Sequence, residues 1–472
     1  MRKLAGAFVL LSTFSMASEP KTDSDFDKWI TSHYKKSKAL LSQNISAKNT
    51  APGTVLASPS RNEPDYYYHW VRDAGLTMSA LVDTWSVSTD ASEKQKIQQN
   101  LYDYWRLTLR HQTQNTLAGL GEVKFYVDGS AFTDPWGRPQ NDGPAIRALS
   151  LIKWWETLKK LNSPVANHKE LYTAQLPAIS AIKRDLEYTS HHWKEANFDV
   201  WEEVKGDHFF TRLFQYHALK KGSQIALAFE DPNAALWYMK NAKAVKNTLG
   251  SFWNENTKII LSTLNRVGGI DYKLGLDSAI LIAVLESQEF SAPNTTEWTV
   301  LDSRVQSTVQ KLENRFKEVY KINSHLGDKK SPLIGRYPND RYDGYRTDSA
   351  GNPWFLNTHY FAEFYYRLAH ALMIQGELLI DQNSRVFWAR FTNEPHLVKI
   401  NSNTRLWKKV INKIIAKGDS FLNHTKEHTA PSGAMAEQIN RNTGKQQGAH
   451  DLSWSYSSFI RAAEARSLLA EQ

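Results

Sequence analysis

A chain of 472 residues can build one large domain with a substantial core, or two or three smaller ones. Its 41% hydrophobic and 23% charged residues are an ordinary globular balance, and the lack of cysteine excludes disulfides, thiolate metal sites and cysteine nucleophiles. The net charge is +9, but the basic residues are scattered and form no long block, so no nucleic-acid partner is expected.

At the N-terminus, Arg2 and Lys3 precede a mostly apolar run from Leu4 to Phe14, and Ser15-Met16-Ala17 offers small residues. This pattern predicts a secretory signal peptide over 1–17, cleaved after Ala17, and an extracellular mature chain of 18–472. The run is too short for a comfortable membrane span, and no later segment approaches 18 apolar residues, so no membrane partner is expected. Three sequons, at Asn44, Asn294 and Asn423, matter only in a glycosylating host.

Next comes an opening helix, with Phe26, Trp29, Ile30 and Tyr34 on one face. A Pro- and Tyr-rich loop over 51–73 follows, then a helix from Ala74 and another over 96–113. The run 114–144 reads as a long loop, and loops of that length are usually functional. Helices are predicted over 145–161, 173–193, 208–228, 232–249, 277–288, 301–318, 358–378, 405–421 and 454–470. Residues 198–206 read as a loop, and 258–263 is the clearest strand. The segment 405–417 has lysines on one side and apolar residues on the other, which reads as a solvated helix face rather than a membrane-surface helix. About a dozen helices without a linker predict one large all-α domain, with loops gathered at one end to build a site.

Aromatic residues are abundant: 16 Trp, 20 Tyr and 20 Phe. Many must be core. Several stand in polar contexts, as in Tyr66-Tyr67-Tyr68-His69-Trp70, and suit a ligand with an apolar face and many hydroxyls, such as a sugar ring. No phosphate-cradling loop, dinucleotide fingerprint or His-Glu-x-x-His is present, and the adjacent His191-His192 do not share a helix face. No metal or cofactor is expected.

What remains is carboxylates, arginines and aromatics in glycine-rich loops. Glu202 and Glu203 follow Trp201 directly. Neighbours along a chain do not face each other, so the two acids are no catalytic pair by themselves. One of them is a candidate general acid, raised by an apolar neighbour such as Trp201; the alternative is the acidic first turn of a helix.

Five segments resemble the glucoamylases of glycoside hydrolase family 15, in the family's order: PDYYYHWVRDA (64–74), GLGEVKFYVDGSAFTDPWGRPQNDGPAI (119–146), FDVWEEVKGDHFFTR (198–212), GRYPNDR with GNPWFL (335–341, 351–356) and AEQINRNTGKQQGAHDLSWSYS (436–457). The resemblance implies an (α/α)6 barrel and inverting exo-hydrolysis of α-1,4-glucans, with α-1,6 links cut more slowly. It implies Glu202 as general acid and Glu437 as general base. By the same resemblance Arg72, Asp73 and Arg336 grip the terminal glucose, and Trp136 lines the pocket near the acid. Tyr66 and Trp454 stand near the base, and Lys124, Glu203 and Asp340 contact outer positions; Trp201 is a further substrate-binding candidate. Without the resemblance, Arg72 and Asp73 read equally well as a helix-start ion pair, while core packing is the lesser alternative for Trp136 and Trp454.

Three features depart from the family pattern: a longer loop over 337–350, Asn339 where an acid is usual, and His69 before Trp70. No appended starch-binding module is expected; the partner expected is an α-glucan or maltooligosaccharide substrate, and the protein is expected to be a monomer. A relative preferring α-1,6-glucans and a non-catalytic sugar binder are the alternatives.

Overall fold

The first helix opens on a reciprocal cap. The Ser24 hydroxyl accepts from the Asp27 backbone N–H, while the Asp27 carboxylate takes the N–H of Ser24. The computed structural model describes residues 24–288, 297–327, 330–394 and 396–470. The predicted signal peptide and Asn294 therefore lie outside the described residues.

Thirteen α-helices run through the described residues: α1 (Asp25–Gln43), α2 (Val71–Val87), α3 (Ala91–His111), α4 (Asp142–Lys160), α5 (Ala181–His192), α6 (Phe209–Ala228), α7 (Pro232–Leu249), α8 (Ala279–Glu286), α9 (Ser303–Val319), α10 (Phe355–Gln375), α11 (Arg385–Thr392), α12 (Arg405–Lys426) and α13 (Ser453–Ser467). Helices α2, α4, α6, α8, α10 and α13 each pack on the next, and α13 returns to α2, so six helices close a ring. Six others back them: α1 on α13, α3 on α2, α5 on α4, α7 on α6, α9 on α8 and α12 on α10. This is the expected (α/α)6 barrel. The division follows from side-chain chemistry. Every residue of α8 (AILIAVLE) is buried, whereas α9 and α12 bury one stripe and present charge on the other side.

Three expectations are corrected. The helix predicted over 173–193 begins only at Ala181, after an irregular approach through Pro177. Residues 198–206 are a hairpin rather than an open loop: Asn197–Phe198 pairs with Val204–His208 across a turn at 199–203, and Val204–His208 pairs in turn with Thr263–Gly269. The strand placed at 258–263 is split between Ile259–Ile260 and Thr263–Gly269. Asn44 is buried and donates to the Asp451 carbonyl and the Ser453 hydroxyl, so folding withdraws this sequon from the surface.

Candidate active site

The inner helices begin at residues 71, 142, 209, 279, 355 and 453. The candidate residues cluster at or just before these starts, so the connections entering the inner ring converge at one end of the barrel. Helix N-termini favour negative charge nearby, which suits a pocket built around carboxylates.

Glu202 sits in the turn of the hairpin that precedes α6. Its φ of +66° is a left-handed conformation that few non-glycine residues adopt. Asp199 holds the turn: its Oδ1 accepts the backbone N–H groups of Glu203 and Val204, at 2.7 and 2.9 Å. Lys273 grips the other oxygen at 2.7 Å. Although burial opposes it, the Lys273 charge leads the effects that bring the Asp199 carboxyl down to about 2. Gly269, at φ +81°, passes beneath; a Cβ there would meet the Glu203 carbonyl at 2.0 Å.

The turn presents the Glu202 carboxylate to four donors. Trp70 Nε1 donates to Oε1 at 2.8 Å and Trp136 Nε1 to Oε2 at 2.7 Å. Gln140 and Arg72 add contacts to Oε1 at 3.1 and 3.3 Å. The tryptophans that touch Glu202 are thus Trp70 and Trp136. Trp201 turns its indole N–H to Asp277 and stacks its ring on Trp454. Trp136 is 42% exposed, an open aromatic face at the pocket mouth.

Glu437 is fully buried where the chain leaves α12 for the short hairpin Gln438–Ile439 with Gln446–Gln447. Tyr66 donates to its Oε1 at 2.8 Å, and Tyr342 and Gln438 approach Oε2 at 3.3 Å. Burial pushes the Glu437 carboxyl up to about 8, against the pull of the Tyr66 hydroxyl, the Arg336 charge and the Tyr342 hydroxyl. Gly448 leaves the room this carboxylate needs, since a Cβ there would lie 2.3 Å from Oε2. Tyr66 packs on Trp70 with ring centroids 5.5 Å apart. The path Glu202–Trp70–Tyr66–Glu437 therefore joins the two acids, 235 residues apart in sequence, across one aromatic wall.

Three basic groups flank that wall. Arg72 donates to Gln140 at 2.8 Å and to Asp142 and Glu202, and its Nε lies 3.5 Å from Asp73 Oδ2. Arg72 Nε and Asp73 Oδ2 are buried and make no hydrogen bond beyond this ion pair with each other. Burial pushes the Asp73 carboxyl up to about 6, with Arg72 opposing and Glu202 adding to the rise. Arg336 forms a fork with Asp340 at 2.6 and 2.8 Å and reaches Glu203 at 2.7 Å; Tyr337 donates to the other Glu203 oxygen. Glu203 is accordingly committed to Arg336 and Tyr337. Lys124 lies in an aromatic cage, with Nζ 3.4 Å from the Trp136 ring centroid and 4.2 Å from that of Trp70. Burial lowers its ammonium to about 8, with the Glu202 charge working against the fall. Trp454 donates to the Tyr360 hydroxyl at 2.6 Å and faces Trp201, so its polar edge is spent inside the barrel.

Tyr342, Trp70 and Gln140 touch the two acids without having been singled out in the sequence. Trp70 and Gln140 stand inside the quoted motifs. Tyr342, in the loop over 337–350, brings a second hydroxyl to Glu437.

The model of glycosyl hydrolases family 15 matches residues 34–464. This chain belongs to glycosyl hydrolase family 15. A glucoamylase of Blastobotrys adeninivorans is 36% identical over 95% of this chain and 74% of its own length. A probable glucoamylase of Schizosaccharomyces pombe is 32% identical over 98% of this chain and 97% of its own. Among solved structures, the Saccharomycopsis fibuligera glucoamylase superposes with a TM-score of 0.85 at 30% identity, covering 94% of this chain and 96% of that one. Membership makes the chain a glycoside hydrolase, and the family's pattern extends over nearly all of the described residues.

Proposed function

We propose that this chain is a glucoamylase that removes β-D-glucose from the non-reducing ends of α-1,4-glucans, with α-1,6 links cut more slowly. Glu202 protonates the glycosidic oxygen. Glu437 takes a proton from a water that attacks the anomeric carbon from the opposite face. An inverting pair needs roughly 6.5–9.5 Å between its carboxyl groups to admit that water. Arg72, Asp73 and Arg336 hold the terminal glucose, and Trp136, Lys124 and Trp201 line its surroundings. The observation that carries the reading is the aromatic wall that joins Glu202 to Glu437 through Trp70 and Tyr66. We read the protein as a secreted monomer without a cofactor; secretion rests on the basic, apolar and small residues of the N-terminus. No helix among the described residues is long and apolar enough to cross a membrane.

One observation favours a second assignment of roles. Glu437 is the acid that burial pushes up, which suits a proton donor, while Glu202 is surrounded by donors, which suits a proton acceptor. α-D-Glucosyl fluoride separates the two, because fluoride leaves with little help from an acid. Under the proposed roles Glu202→Gln loses at least about 10³-fold on maltotriose but far less on the fluoride, while Glu437→Gln loses activity on both. The opposite pattern reverses the roles.

A further inference from the structure

Away from the pocket, the end of α12 carries His424-Thr425-Lys426-Glu427-His428. The helical path continues through Glu427, so the two imidazoles, four residues apart, lie on one face with ring centroids 5.6 Å apart and planes tilted by 49°. One ligand-type atom from each of His424, Glu427 and His428 lies within 4.8 Å of the other two. Among the described residues this is the only such group of three or more histidine, cysteine and carboxylate side chains.

The hydrogen bonds decide what these rings can do. His424 Nδ1 meets the Ser331 carbonyl at 2.7 Å, and His428 Nδ1 meets the Gly444 carbonyl at 2.9 Å. A carbonyl only accepts, so both Nδ1 atoms carry the proton and both Nε2 atoms are left with a free lone pair. An Nδ1–H bound to a backbone carbonyl is the support that metal-ligating histidines ordinarily have. His428 Nε2 is buried and has no hydrogen-bond partner. The backbone makes space for this ring at Gly444, where a Cβ would lie 2.8 Å from His428 Cε1.

From this we infer that His424, Glu427 and His428 bind one divalent transition-metal ion of the zinc class through two Nε2 atoms and a carboxylate oxygen. Two imidazoles and a carboxylate are a three-ligand set that zinc takes, with water in the fourth position. Bonds of about 2.0–2.1 Å to each atom require the ligands to close up, and exposed Glu427 is the one able to swing. In doing so it exchanges its contact with the Lys330 ammonium, now at 2.7 Å, for the ion. The role is structural. His428 is tied to Gly444 through its ring, and its carbonyl accepts from the Gln446 side chain, which in turn accepts the backbone N–H of Ala436, next to Glu437. An ion here stiffens the end of α12, which these hydrogen bonds of His428 tie to the hairpin beside Glu437. The inference does not depend on the glucoamylase reading.

The test is a zinc titration of the chelator-treated full-length protein by calorimetry, paired with thermal unfolding. We expect one equivalent of Zn²⁺ bound at micromolar or tighter concentration and a higher Tm with zinc present. Glu427→Gln, on an exposed side chain, weakens binding at least about tenfold, and His428→Asn removes both the binding and the Tm rise. His191→Ala with His192→Ala leaves both unchanged. Absence of stoichiometric binding, or binding that survives Glu427→Gln at full strength, overturns the site.

Discussion

Tyr66 supplies a 2.8 Å hydrogen bond to Glu437, and that bond opposes the burial which raises the carboxyl to about 8. Tyr66→Phe removes a donor to the charged form, so Glu437 is pushed further up. If Glu437 is the base, it must be ionised to act. The limb of the kcat/KM profile that rises with pH then moves to higher pH, by roughly half a unit to one unit, and kcat drops about 10–100-fold. A profile left in place would remove Glu437 from that limb. The same carboxyl acts on stability. Its folded pKa of about 8 lies above its ordinary 4.5, so between these values the folded chain holds a proton that the unfolded chain has lost. Stability therefore falls as pH rises through that window. Glu437→Gln relieves this cost. It should raise Tm by about 2–4 °C at pH 7.5 and make little difference at pH 4, as thermal scans at the two pH values will report.

At the scale of elements, the hairpin around Gly448 shapes the site more than it supports the fold. A Cβ at Gly448, where φ is +75°, collides with the far end of the Glu437 side chain rather than with backbone. Gly448→Ala should cost about 1–2 kcal/mol in chemical denaturation, yet lower kcat at least about 100-fold by displacing the carboxylate. Equal losses in both would contradict this division. Elements of this kind were the hardest to read from sequence. Outer helices such as α9 and α12 announce themselves by a buried stripe, whereas α8 is apolar on all sides, so the helix predicted over 277–288 has no stripe to mark its faces. The hairpin before α6 escaped because Val204-Lys205-Gly206-Asp207-His208 has little strand character of its own and pairs with residues some 60 positions away. Helix α11, eight residues long, was missed altogether. Glu437 has no local signal, since Ala436 and Gln438 could flank any surface acid; only the resemblance picked it out.

Across the whole molecule, a single guanidinium ties the inner ring together below the pocket. Arg461 on α13 meets Glu363 of α10 at 2.9 Å, Glu286 of α8 at 3.2 Å and Asp83 of α2 at 3.2 Å. Replacing it leaves buried carboxylates without this partner, which costs far more than losing a surface ion pair. Arg461→Met should therefore destabilise the protein by about 3–5 kcal/mol, read from the denaturant midpoint, although the residue lies outside the described active site. The all-α class and about a dozen helices were legible from the apolar periodicity of the sequence, whereas the barrel itself came only from the family resemblance. Its closure was not legible, because the contact of α13 with α2 joins distant parts of the chain and leaves no local trace. Closure is also what places Glu202 and Glu437 on one aromatic wall. The most direct test of that placement is anomer-resolved NMR of the sugar released in the first minutes from maltotriose. The account predicts glucose that appears in the β form and mutarotates afterwards; glucose that appears first in the α form would contradict it.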